Sequence, residues 1–313
     1  MEKRSTYKPN TAISRDELRD KFPDEETARK YIEEERWGGV PVCGHCGSKR
    51  VGKGRKDRKG YYRCKDCRKE FSVKTGTIFT DTKIPLHKWL EVFYRMVTSR
   101  KGVSSMELSK DLGVRQATAW LLLHKIRKGM KRSKKKFSLK GIIENDETHV
   151  YGKRKNKHPD KKSIKHEAIV FGMKERGGNV IMEHVPNKKR ETLREIIEQN
   201  VEYGSTLNTD DGKWYTGIEN PGYTRKKVNH SAKEYVSKDG EVYTNSIESV
   251  WAVLKRGVNG IYQKVSHKHL HRYLSEFEFR LNEGNCKYPT MDRIDCLIAG
   301  CFGRTLTYKE LVA

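Results

Sequence analysis

No stretch of this sequence approaches the roughly 18 consecutive apolar residues that mark a membrane-spanning helix, and the N-terminal MEKRSTYKPN has no apolar core of the signal-peptide kind. The expectation is a cytoplasmic chain with no membrane partner. Acid is scarce as well: 41 Asp and Glu face 66 Lys and Arg, for a formal net charge of +25. Self-repulsion on that scale disfavours a compact chain unless a polyanion neutralises it, so nucleic acid is the expected partner. An anionic membrane surface is the rival that the missing apolar run disfavours. A disulfide framework is lacking too, since four of the seven cysteines sit in two tight pairs and Cys286, Cys296 and Cys301 are scattered. What remains, 313 residues with 35% hydrophobic content, suffices for two or three domains with a modest core.

The paired cysteines, Cys43, Cys46, Cys64 and Cys67, form C-x2-C-x17-C-x2-C. This is zinc-ribbon spacing, in which each pair sits on a turn that aims two thiolates at one ion. KGYYRC alternates like a short strand, and KEFSV supplies a second, with Phe71 to cover the site. A closed four-thiolate site makes the expected Zn²⁺ structural, in preference to a redox C-x-x-C. The intervening KRVGKGRKDRKG reads either as a phosphate contact or as a solvated hairpin tip.

HKWLEVFYRMV has helical apolar spacing, and after it Ser104 or Ser105 caps a helix reaching Leu112. Gly113 breaks that helix and another starts near Arg115, a helix-turn-helix order. Arg115, Gln116 and Thr118 would then face DNA, with Ala117, Trp120 and Leu121 packed inward. A plain helical hairpin is the bland alternative. KIRKGMKRSKKKFSLK follows as a basic tract suited to a phosphate backbone.

From Lys140 onward the pattern changes. GIIENDETHV, EAIVFGM and NVIMEHV read as strands, RETLREIIEQNV as a helix, STLNTD as a fourth strand and NSIESVWAVLKRGV as a later helix. That is the element order of a ribonuclease H-like α/β fold with a mixed sheet. It places Asp146 on the first strand, Asp210 at the end of the fourth and Glu248 in the first turns of the later helix. Converged carboxylates repel unless a divalent ion neutralises them, and hard oxygen ligands suit Mg²⁺ or Mn²⁺. Two such ions roughly 3.5–4 Å apart can serve both sides of a phosphodiester. Glu144 or Glu147 could replace Asp146, Asp211 could replace Asp210, and Asn245 could replace Glu248. Strand alternation puts Glu144 on the face of Asp146 and Glu147 on the other. Lys153, Arg154, Lys155 and Lys157 beside Asp146, and Lys255 with Arg256 on the later helix, are candidate DNA contacts. Trp251 reads as core or as packing beneath the acids, and His230 as a structural or a site histidine.

In wording and order, CGHCGSKRVGKG, YYRCKDCRKEFSVKTGTIF, NDETHVYGKRKNKH, LNTDDGKWYTGI, NHSAKEYV and YTNSIESVWAVLKRGVNGIY resemble bacterial insertion-sequence transposases of the DDE type. The group in question has an N-terminal zinc ribbon and an ISXO-like transposase domain, and the Merlin elements are its eukaryotic relatives. The resemblance spans about Val42 to Asn282. It implies a ribonuclease H-like catalytic domain, binding to terminal inverted repeats, metal-dependent nicking that frees a 3′-OH, and attack of that hydroxyl on target DNA. It assigns the three acids to Asp146, Asp210 and Glu248, and Lys255 to end binding. Some branches use Asn as the third ligand, which leaves Asn245 open. It further implies double-stranded DNA of element ends and target as partners, a homo-oligomer in the DNA complex, and a place at the nucleoid when bound. The expected divisions are a helical segment at 1–38, the ribbon at 39–80, helix-turn-helix at 84–132, a basic linker at 133–140, the catalytic domain at 141–285 and a tail at 286–313. A catalytically silent DNA-binding regulator, or a nuclease of the same fold, are the competing readings.

Overall fold

The computed structural model describes residues 12–313 apart from 56, 134–136, 151–167, 220–221, 228–242 and 264. The chain divides into two units: Met1–Lys131 with Glu283–Ala313, and Arg132–Asn282.

In the first unit, α1 (Arg15–Lys21) starts at Ser14, which forms a reciprocal capping box with Glu17. Asp24 caps α2 (Glu25–Trp37), and Gly38 ends it in the left-handed conformation. The ribbon is an antiparallel sheet of β1 (Val51–Lys53), β2 (Tyr61–Cys64) and β3 (Glu70–Ser72). Three helices follow: α3 (Leu86–Thr98), α4 (Ser105–Leu112) and α5 (Gln116–Met130). Ser104 caps α4, and Gly113, with φ of 65°, closes it. Arg95 of α3 pairs with Glu107 and Asp111 of α4.

The inward stripe of α5 differs from the expected one. Ala119, Leu122, Leu123 and Ile126 are buried, whereas Ala117 is exposed and Trp120 and Leu121 are only partly covered. The buried set follows helical i, i+3, i+4, i+7 spacing from Ala119, leaving Ala117 on the outer face. Two of the bases in the tract after the turn are structural: Arg127 is buried and Lys125 Nζ donates to the Thr80 carbonyl at 2.6 Å.

The last segment belongs to this unit's core. In α9 (Thr290–Cys301), Ile294, Leu297, Ile298 and Cys301 are buried, and Arg293 donates to the Val97 carbonyl at 2.7 Å. A Cβ on Gly300 would stand 2.3 Å from the Gly129 carbonyl oxygen, so α9 and α5 touch backbone to backbone. The short α10 (Tyr308–Val312) closes the chain.

The second unit is a five-stranded mixed sheet, β4 (Ile142–Val150), β5 (Ala168–Glu175), β6 (Val180–Val185), β7 (Thr206–Thr209) and β8 (Thr224–Lys227), in the order β6-β5-β4-β7-β8. β6, β5 and β4 are antiparallel, while β7 runs parallel to β4 and β8 parallel to β7. On one face α6 (Arg190–Asn200) packs Leu193 and Ile197 against Ile143, Phe171, Met173 and Leu207. On the other, α7 (Asn245–Gly257) and α8 (His267–Leu281) pack Ile247, Trp251, Leu254, Leu270 and Phe277 against Val150, Val170 and Met182. Burial on both sides explains the unbroken apolar run in β5. The linker joins this unit at Leu139, which is buried and bonds the Asn200 carbonyl at 2.8 Å.

Candidate metal centres and active site

The four ribbon thiols are the one group of three or more His, Cys, Asp or Glu, among the described residues, whose ligand atoms all lie within 4.8 Å of each other. Cys43 Sγ is 3.7 Å from Cys67 Sγ, and Cys46 Sγ is 3.6 Å from Cys64 Sγ. A tetrahedron with Zn–S bonds of about 2.3 Å has edges of about 3.8 Å, so the cluster fits structural zinc. Positive φ at Gly47 (76°) and Arg68 (59°) turns the chain after each pair. Backbone amides of Cys67 and Asp66 hold the Cys64 thiol well below its ordinary value. Trp37, Tyr62 and Phe71 pack over the cysteines.

In the second unit the alternation of β4 sorts its acids. Glu144 and Asp146 face α7. Glu144 is fully buried and accepts the amides of Ser246 at 2.9 Å and Ile247 at 3.1 Å, two of the free donors at the start of α7. Asp146 Oδ2 accepts the Trp251 indole N–H at 2.8 Å. Burial raises the Asp146 carboxyl above its ordinary range and the charges of Asp210 and Glu248 push it further, against the Trp251 and Glu147 N–H groups. Asp210 and Glu248 thus lie near enough to act on Asp146, while the three acids do not close to the ligand distances of the cysteines.

Asp210 follows β7, and its Oδ1 accepts the Gly212 amide at 2.9 Å. Arg225 of β8 holds the same turn, donating to Thr209 Oγ1 at 3.0 Å and to the Asp210 carbonyl at 3.1 Å. Asp211 is exposed. Glu147, on the opposite face of β4, accepts the Trp214 indole at 3.1 Å and the Tyr215 hydroxyl, and pairs with Lys188 at 3.3 Å. Burial raises it, and Tyr215 and Lys188 oppose the rise. Its bonds tie the chain segment after Asp210 to β4.

Asn245 and Glu248 are exposed in the first turns of α7, one helical turn apart, and Lys255 and Arg256 are exposed farther along it. Arg115, Gln116 and Thr118 are exposed at the start of α5, where Gln116 Nε2 donates to Ser105 Oγ at 2.8 Å. Lys153, Arg154, Lys155, Lys157 and His230 lie outside the described residues. Sequence reasoning passed over Arg225, Lys188, Gly172 and the Trp214–Tyr215 pair. Of these only the aromatic pair carries a local signal, in DGKWY directly after Asp210.

Residues 138–282 match the family of ISXO2-like transposase domains, and residues 23–70 match the transposase zinc-ribbon domain, so that together they cover more than half of the chain. An uncharacterised protein in transposable element ISH50 of Halobacterium salinarum is 26% identical over 282 residues, spanning 83% of this chain and 91% of that protein. Among solved structures, the catalytic core domain of BIV integrase in crystal form I is 16% identical, over 43% of this chain and 80% of that chain, with a TM-score of 0.29.

Proposed function

This chain belongs to the insertion-sequence transposases with an N-terminal zinc ribbon and an ISXO2-like transposase domain, and on that premise we propose that it is a DDE transposase. In this reading it binds the terminal inverted repeats of its element and catalyses metal-dependent cleavage and transfer of DNA strands. The observation that carries it is the placement of Asp146: a half-buried aspartate on β4, beside the parallel strand that ends at Asp210, with its carboxyl raised by burial and by the charges of Asp210 and of Glu248 on a flanking helix. The strand order, three antiparallel strands followed by two parallel ones, supports a ribonuclease H-like reading of the sheet.

Asp146, Asp210 and Glu248 would hold Mg²⁺ or Mn²⁺, with Asn245 as the alternative third ligand. When bound, such ions activate the attacking oxygen and stabilise the leaving one at a phosphodiester. The protein's own part is to hold the three acids on separate elements and to keep the Asp210 turn rigid through Gly212 and Arg225. Lys255 and Arg256 on α7, with Lys153, Arg154, Lys155 and Lys157, would neutralise backbone phosphates. Arg115, Gln116 and Thr118 would read the element end if α4 and α5 act as a helix-turn-helix. Pairing of two element ends calls for a homo-oligomer on DNA.

The test is to incubate zinc-loaded protein with labelled element ends and target plasmid, in Mg²⁺ or Mn²⁺ against EDTA. Joined product that requires metal and is lost in Asp146→Asn and Glu248→Ala supports the transposase. Loss in Asn245→Ala with Glu248→Ala active moves the third ligand. Cleavage without joining identifies a nuclease, and binding without cleavage identifies a silent regulator.

A further inference from the structure

The Asp146 carboxylate meets a donor carried by α7. Asp146 on β4 is paired in register with Gly172 on β5, so their side-chain positions share one face of the sheet, the face covered by α7. A Cβ on Gly172 would stand 2.3 Å from Trp251 Cη2, 2.6 Å from Cζ2 and 2.9 Å from Ile247 Cδ1. Gly172 does not have a positive φ. Backbone freedom is therefore not what calls for glycine there; space is. The indole ring fills that space, 5% exposed, and its N–H reaches Asp146 Oδ2 at 2.8 Å.

We propose that Trp251 is a positioning residue for Asp146, admitted by the bare backbone of Gly172, which fixes the rotation of the carboxylate before a divalent cation arrives. The inference rests on the reading of Asp146 as a metal ligand. A buried indole N–H needs an acceptor, and a carboxylate is the strongest available. With Oδ2 committed to the indole, a cation approaching Asp146 finds an ordered ligand and spends no free energy on ordering it, the role that partners behind a ligand play at metal sites. Trp251 also lies three residues beyond Glu248 on α7, so one helix carries the donor that sets the first acid and the carboxylate of the third. Core packing alone would explain the glycine, but it does not require that the indole's acceptor be the strand aspartate.

The experiment titrates Mn²⁺ into zinc-loaded full-length protein and follows free Mn²⁺ by electron paramagnetic resonance, with DNA binding and thermal melting measured alongside. The variants are Trp251→Phe, which keeps an aromatic ring without the N–H, Gly172→Ala and Asp146→Asn. Mn²⁺ affinity is expected to fall about tenfold or more in Trp251→Phe, with DNA affinity unchanged. Strand cleavage at saturating metal should return toward wild type, so that the loss falls on the metal constant. Wild-type Mn²⁺ affinity in Trp251→Phe, with affinity lost in Asp146→Asn, overturns the proposal while leaving the metal site intact. Unchanged affinity in Asp146→Asn removes the reading of Asp146 as a ligand and this inference with it. If Trp251→Phe melts far below wild type, Gly172→Ala decides: weakened Mn²⁺ binding supports the proposal and wild-type binding overturns it.

Discussion

Glu144 accepts the backbone amide of Ser246 at 2.9 Å, so a carboxylate buried on β4 caps the helix that carries Glu248. The start of α7 has no side-chain cap of its own, and the sheet supplies one two residues before Asp146. Replacing Glu144 by Ala strands two amides and removes the carboxylate that lies 3.7 Å from Arg176. The expected cost is about 1–3 kcal/mol, together with faster hydrogen exchange at Ser246 and Ile247. Unchanged exchange at those amides would refute the cap.

Gly212→Ala tests the Asp210 turn. Its φ of −51° suits any residue, but a Cβ there would lie 2.8 Å from Asp210 Oδ1 and 2.5 Å from the Trp214 ring. Strand cleavage should fall at least about tenfold, a loss of roughly 1.4 kcal/mol in the barrier, with the melting curve close to wild type. Full activity would show that the turn tolerates a shifted Asp210.

Zinc removal should be confined to one unit. All seven cysteines lie in the first unit and none in residues 132–282. Chelation, or Cys64→Ser, is expected to release about one zinc per chain and unfold the ribbon, while protease protection of the β4–β8 sheet persists. Retention of zinc in Cys64→Ser would remove the four-thiolate assignment.

Burial pushes Glu278 up to about 7 against the opposing pull of Arg132. Arg132 Nε donates to its Oε1 at 2.8 Å and the Met182 amide to its Oε2 at 3.3 Å. A folded value above the unfolded one means that the native state binds the extra proton, so stability falls as pH rises from about 4.5 through 7. The effect is on the order of 3 kcal/mol at most. Urea melts from pH 5 to 8 should show this loss in the wild type and lack most of it in Glu278→Gln, and identical pH profiles would exclude Glu278 as the source.

DNA affinity should depend steeply on salt. Six to ten phosphate contacts, a number the charge of +25 readily supplies, correspond to a loss of roughly a thousandfold or more between 50 and 200 mM salt. Arg115→Ala should reduce the preference for element ends over unrelated duplex by roughly tenfold or more. A flat salt response would contradict phosphate neutralisation as the source of binding.

Much of the second unit was legible because its elements announce themselves locally. β5 and the start of β6 are apolar runs, β4 opens on Ile142 and Ile143 ahead of its acids, α6 and α7 have helical stripes, and the cysteine pairs have diagnostic spacing. β8 was not legible, because TRKK is a polar edge strand with three of its four residues exposed and so lacks the apolar alternation of a covered strand. The inward face of α5 was misread by two residues, since Ala117 and Ala119 are equivalent in composition and only the neighbouring helices distinguish them. The site was legible where an acid ends a strand or opens a helix. Its supports were legible only in part, because Glu147 finds Tyr215 68 residues away with nothing local to link them, whereas Asp146 finds, 105 residues away, the Trp251 for which packing beneath the acids was one of two readings. Nothing in a local window marks Gly172 as the residue whose missing side chain makes room for that second pairing.

The first unit is discontinuous, closed only when α9 settles against α3 and α5. During synthesis the whole five-stranded sheet leaves the ribosome before Thr290–Cys301 exist. A product halted just past Asn282 would carry Asp146, Asp210, Glu248 and the four ribbon cysteines, yet the backbone of Gly129 would have no Gly300 to rest on. The helices proposed to hold DNA are made early but gain this packing partner last, so an unfinished chain would present α5 without the support of α9.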